Sequence, residues 1–199
     1  MGRPVLLALH WQNDVLHPDG RIRVGLAKGD PVRDRLVKAS ARLLEGARQK
    51  DWPIIQVRIA FRPDYADLAR NIPIFRRTAE LGAVRDGDWG ADFFDELKPR
   101  LGPREFVVTH QRISAFAGTS LDLLLRQLDA RQLVVAGVAT HSVVEGTVRD
   151  AADRGFEVAV AADACACADQ SAHTAALSSM ALIAEVSNVD DLLAKDTYQ

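Results

Sequence analysis

The sequence predicts an α/β fold: a three-layer α/β/α sandwich around a mainly parallel sheet of about six strands. Three observations lead there. Short apolar, β-branched runs recur along the chain, they lack the polar alternation of a half-exposed strand, and amphipathic helical stretches separate them. Continuous hydrophobicity suits a strand whose sheet is covered on both faces. A right-handed crossover between parallel strands supplies that cover by laying a helix on one face or the other. With 199 residues and no repeat, linker or low-complexity tract, the chain reads as one domain over 1–199.

The first strand is Val5-Leu6-Leu7-Ala8-Leu9. It is too brief for the core of a signal peptide or for a bilayer span, so a cytoplasmic protein is expected. In the following helix Val32, Leu36, Ala39, Leu43 and Ala47 recur at spacings of three and four. Asp30 is read as its N-cap, with Pro31 at the first helical position. Residues 53–59 give the second strand and Phe106-Val107-Val108 the third. Between these strands the stretch 61–104 carries Pro63, Tyr65, Pro73, Phe75, Trp89, Gly90, Phe93 and Phe94. It reads as a covering segment with short helices that roofs a site.

Thr119-Ser120-Leu121-Asp122 has the form of a capping box, and Leu121, Leu124, Leu125 and Leu128 supply the buried stripe of the helix it opens. Leu133-Val134-Val135-Ala136 and Val158-Ala159-Val160-Ala161 read as the fourth and fifth strands, and Glu185-Val186-Ser187 as a weaker sixth. Helices are expected after Thr140 and after Asp169.

Charge narrows the partners. The 25 Lys and Arg almost cancel the 27 Asp and Glu, and no run of one sign stands out, so neither nucleic acid nor a membrane is expected. A small molecule fits better. Cys165 and Cys167 share a Cys-Ala-Cys unit whose disulfide ring would be strained, so both are read as reduced thiols.

In an open parallel sheet a ligand binds beyond the carboxyl ends of the strands, where successive crossovers diverge. The residues there are His10-Trp11-Gln12-Asn13-Asp14, 110–119, 137–144 and 163–167. The first block resembles an apolar strand followed by Asp-Met-Gln-Asn-Asp. His110-Gln111-Arg112-Ile113-Ser114-Ala115-Phe116-Ala117-Gly118-Thr119 resembles Lys-x-Arg-x-Ser-Ala-Phe-x-Gly-Thr. Gly137-Val138-Ala139-Thr140-His141-Ser142-Val143-Val144, with Thr147 and Asp150-Ala151 after it, resembles Gly-Val-x-Thr-x-x-Cys-Val, and 156–164 resembles a strand ending in Asp-Ala. Four motifs in this order are similar to those of the isochorismatase-like cysteine hydrolases. The resemblance implies their fold, and commonly a homodimer or larger homo-oligomer.

It also implies a site, in which a cysteine attacks an amide-like carbonyl, an aspartate moves the proton and a lysine supports the charge pair. Here those positions read Val143, His10 and His110. Backbone amides around Ala139, Thr140 and Val143 are expected to hold a developing oxyanion, at a turn where relatives commonly have a cis peptide. Trp11, Asp14, Arg112, Phe116 and His141 are candidate pocket residues, with the Trp89 segment as a further apolar wall. Asp14 and Arg112 serve equally well as an ion pair or as loop-holding hydrogen-bonding groups.

Valine closes the acyl-enzyme route at position 143. The leading expectation is a rebuilt, cysteine-independent hydrolytic site in which His10 and His110 act as acid and base, since two imidazoles at two catalytic positions suggest retained polar work. Three alternatives stand beside it: a metal held by His10, His110 and His141; a displaced nucleophile, Cys165, Cys167 or Ser142; and an inactive relative that binds a small molecule. No organic-cofactor motif appears. Thr119 reads as a helix cap, His17 and His173 as surface or packing residues, and Asp163 as an acceptor within its own turn.

Overall fold

Val5–Leu9 forms β1, and all five side chains are buried, as an unbroken apolar run at the middle of a two-sided sheet requires. In this computed structural model the described residues are 3–22, 31–100 and 102–195; Asp30, expected as a helix N-cap, lies outside them. The short helix α1 (Asn13–Leu16) follows β1, and α2 (Pro31–Gln49) buries Leu36, Ala39, Leu43, Leu44 and Ala47 against the sheet. Next come β2 (Ile54–Ile59), α3 (Pro73–Glu80), 3-10 turns at Trp89–Ala91 and Asp95–Leu97, and β3 (Glu105–His110). After α4 (Leu121–Gln127) the chain continues through β4 (Gln132–Val138), a π-helical turn (Thr140–Val144), α5 (Glu145–Asp153) and β5 (Glu157–Ala166). It then passes through α6 (Gln170–Met180), β6 (Glu185–Ser187) and α7 (Val189–Ala194).

All six strands are parallel, in the order β3-β2-β1-β4-β5-β6. The chain winds outward from β1 through β2 to β3, then returns to place β4 on the other side of β1. This reversal opens a crevice beyond the carboxyl ends of β1 and β4, the place where doubly wound sheets bind ligands. None of the described helices is long and apolar enough to cross a membrane.

The structure differs from sequence expectation in four places. β3 is an edge strand, so Val107 is exposed while Val108 is buried, and the third strand is not covered on both faces. β5 runs on to Ala166 past an irregularity: Val135 pairs with Val160 but Gly137 with Cys165, so Cys165 is a strand residue and not part of a loop. The bulged Asp163 accepts the Val189 N–H of α7 rather than an amide of its own turn. At α4 the Thr119 hydroxyl accepts the Leu121 N–H, but Asp122 pairs with Arg126 and Arg154 and does not close a capping box.

Candidate functional site

His10 ends the central strand in a left-handed backbone conformation, φ +59°, while its N–H still donates to the Val57 carbonyl of β2. For a non-glycine residue that conformation costs on the order of 1–2 kcal/mol. His110 is the last residue of β3, two strands away, and the two rings meet across the end of β2. Their Nε2 atoms are 2.5 Å apart and their centroids 4.8 Å. His110 is fully buried and His10 is 8% exposed.

Two neutral arrangements satisfy the pair: either His110 donates from Nδ1 to the Ser114 carbonyl, 3.3 Å away, and accepts the Nε2–H of His10, or His10 donates to the Val138 carbonyl and accepts the Nε2–H of His110. In the first of them the other nitrogen of His10 keeps a lone pair. Burial, and secondarily the neighbouring His110, hold His10 well below the ordinary histidine range, and the Val138 carbonyl beside the ring works the other way. Burial lowers His110 to about 4, opposed by its bond to Ser114. Both rings are therefore neutral at neutral pH.

Several side chains hold this geometry. Buried Gln12 clamps the end of β2: its amide oxygen accepts the Ile59 N–H, and its NH2 donates to the carbonyls of Ile59 and Ala91. The loop after His110 is pinned to α5, with the Ser114 hydroxyl donating to Asp150 at 2.7 Å and the Ala115 N–H donating to Thr147 Oγ1 at 3.1 Å. Sequence reasoning quoted these residues within motifs but gave them no such role.

On the other side of the crevice β4 comes so close to β1 that a Cβ on Gly137 would lie 2.3 Å from the Leu9 carbonyl oxygen, and the residue also adopts φ +149°. Only glycine meets both demands. The Val138–Ala139 peptide is cis, and the π-helical turn follows, with the Ser142 and Val144 N–H groups reaching back to the Ala139 carbonyl. Thr140 is buried and its hydroxyl lies 2.8 Å from Nδ1 of His173, which ties α6 to the turn and gives His173 a supporting contact that its sequence context did not signal.

Between these walls lies a cavity of about 260 Å³. Of the candidate residues, His10, Arg112, Ala139, His141 and Val143 line it. His110 does not; it backs His10 from the interior. Trp11, Asp14 and Phe116, expected in the pocket, are also elsewhere. Trp11 is in the core. Asp14 accepts the Val84 and Arg21 N–H groups and holds the covering segment, approaching Gly90 so closely that a Cβ there would strike its carboxylate. Phe116 stacks on Phe156 beneath Arg154. Trp89 packs edge-on against His17 and is half exposed. The remaining lining is largely apolar, with Ile59, Ile74, Phe75, Thr78 and Ile113 prominent, and three of these come from α3 in the covering segment.

The cysteines do not supply a ready thiolate. Burial pushes Cys165 up to about 12, and burial likewise raises Cys167, whose thiol donates to the Asp169 carbonyl. Ser142 does line the cavity, beside Val143. Among the described residues no three His, Cys, Asp or Glu side chains gather as a metal-binding group, so His10, His110 and His141 do not form the three-ligand set considered above.

Comparison with known proteins agrees with this architecture. An Isochorismatase domain model matches residues 4–191. An isochorismatase family protein from Desulfovibrio vulgaris superposes with a TM-score of 0.84 at 30% identity, covering 98% of this chain and all of that one. The uncharacterized isochorismatase family protein YecD of Escherichia coli O157:H7 is 28% identical over 170 residues, 84% of this chain and 86% of its own. The ureidoacrylate amidohydrolase RutB of Methylorubrum extorquens is 28% identical over 175 residues, 80% of this chain and 68% of its own.

Proposed function

The chain belongs to the isochorismatase family, and from that premise we propose that it hydrolyses a small organic molecule through a cysteine-independent site centred on His10. The observation that carries this reading is the His10–His110 contact at the cavity wall. With its Nε2–H donated to the second, buried histidine, His10 keeps a lone pair on its other nitrogen, and that lone pair is the base that activates water. His110 is a positioning residue, since it reaches the cavity only through His10. The Val138 carbonyl favours the protonated ring that follows proton transfer. Amides of Ala139, Thr140 and Val143 are the candidate donors to the oxyanion. Val143, 2% exposed and apolar, leaves no covalent nucleophile at its own position. Relatives such as the RutB amidohydrolase support hydrolysis as the reaction class.

The test uses a panel of carboxamides, ureido acids and aryl esters. Turnover should survive iodoacetamide and the Cys165→Ser/Cys167→Ser double substitution, and should collapse in His10→Asn, which suits the left-handed conformation but does not titrate. Activity that persists in His10→Asn, or that alkylation removes, overturns the reading. A second reading, a family member that binds a small molecule without converting it, draws on one observation: the shortest contact of each ring is to the other ring. It predicts that a ligand co-purified with the protein is returned unchanged after prolonged incubation.

A further inference from the structure

The cavity lining has an uneven chemistry. Among its described residues there is no Asp or Glu, and the walls are apolar: Ile59, Ile74, Phe75, Ile113 and Val143. Ile74 is 46% exposed, an apolar group held at an opening to solvent. Into this lining comes one permanent cation. The Arg112 guanidinium lies 5.5 Å from the centroid of the Phe75 ring, and among the described residues it has no carboxylate or carbonyl partner. The other polar groups of the lining, His10, Thr78, His141 and Ser142, carry no permanent charge. An arginine laid on an aromatic face is pre-organised, since stacking restrains the guanidinium plane while leaving its N–H edge free to donate.

We propose that the cavity takes small apolar carboxylates, with the acid group on the Arg112 guanidinium and an alkyl or aryl body against Ile59, Ile74, Phe75, Ile113 and Val143. A carboxylate offers the two-oxygen edge that a guanidinium fork matches, whereas a neutral amide offers one acceptor. The cavity of about 260 Å³ falls below the ~300 Å³ at which pockets for drug-sized ligands begin, so the body is short. As a statement about the substrate, this rests on the hydrolytic reading above; as a statement about binding, it is tested without turnover.

Calorimetric titration with matched probes decides it: acetate, hexanoate and phenylacetate against acetamide, hexanamide and phenylacetamide, on the full chain and on Arg112→Gln. Hexanoate and phenylacetate should bind at least 10-fold tighter than their amides. Each methylene beyond acetate should tighten binding about 4-fold until the cavity is full. In Arg112→Gln the preference for acids should vanish while hexanamide and phenylacetamide still bind, which also reports that the pocket is folded. Arg112→Lys should keep a reduced preference. The proposal is overturned if amides bind as well as acids, if discrimination survives Arg112→Gln, if acetate equals hexanoate, or if none of the probes binds. Should Arg112→Gln fail to fold, the acid-to-amide ratio of the unmodified chain and of Arg112→Lys decides alone. A protein that prefers apolar acids but turns nothing over would retire hydrolysis and leave this inference standing. A hydrolase indifferent to ligand charge would do the reverse.

Discussion

β3 begins with a partly buried Glu105 and ends with a fully buried His110, and the two ends are built on opposite principles. At its start Glu105 meets Arg48 of α2 at 2.6 Å and accepts the Arg100 N–H at 2.7 Å. Opposite charges with satisfied hydrogen bonds tie that end to α2. At its end His110 meets a second base of the same kind, and burial lowers the proton affinity of both. That pair favours neutrality and has one proton lying between its Nε2 atoms. The amino-terminal end of the sheet is arranged to lock helix to strand, and the carboxyl-terminal end to leave a proton movable.

The contrast can be broken at either end, and the effects should rank. His10→Asn has the largest expected effect, a 10²- to 10⁴-fold loss of kcat/KM, about 3–5 kcal/mol of transition-state stabilisation, with the midpoint of urea unfolding nearly unchanged. Glu105→Ala should invert that pattern. It strands a largely buried guanidinium and should cost about 3–5 kcal/mol in urea unfolding, while turnover per folded molecule is kept.

Third is pH. Unfolded histidine takes up a proton near 6.5, whereas folded His110 does so only near 4. Between these values the unfolded state binds more protons, so stability is complete above 6.5 and falls as the pH is lowered toward 4. The loss is on the order of 3 kcal/mol for this one group. Acid unfolding of His110→Phe followed by circular dichroism should lack that component. Smallest is Ser114→Ala, which frees the 114–116 loop from Asp150. It should cost about 1 kcal/mol of stability and move the acid limb of the pH–rate profile, a shift that a purely structural role would not produce.

The two ends of the sheet's strands also differ in how legible they were. The central strands could be read from sequence because apolar, β-branched runs such as Leu133-Val134-Val135 have few other uses in a globular chain. The far end of β5 could not: the motif resemblance carried the strand to Asp163-Ala164, and Cys165-Ala166 beyond it are held there by pairing with Gly137 and Val138. Motif order brought His10, His110, Ala139 and Val143 to one end of the sheet. Whether the rings would touch depended on strand order, because they meet across an intervening strand.

Pocket assignments made by motif adjacency did less well. Trp11 and Phe116 sit beside site residues in sequence, yet both turn into the core. The walls that replace them, Ile59, Ile74, Phe75 and Ile113, belong to the end of β2, to α3 and to the residue after Arg112. Apolar residues in a covering segment give no sign of which cavity they face. The available signal was the unusual length of 61–104, which did point to a roof.

The bend at position 10 sets which amino acids the central strand can end on. With φ at +59°, asparagine, aspartate and histidine are tolerated several times more readily than other residues, and β-branched ones are close to forbidden. The aspartate that the resemblance assigns to relatives and the histidine found here are both on that short menu. An exchange between them leaves the main chain undisturbed, so this scaffold can trade one proton carrier for another without refolding. Reinstalling an acid by His10→Asp is correspondingly open to an engineer, and valine or isoleucine at the same place is not.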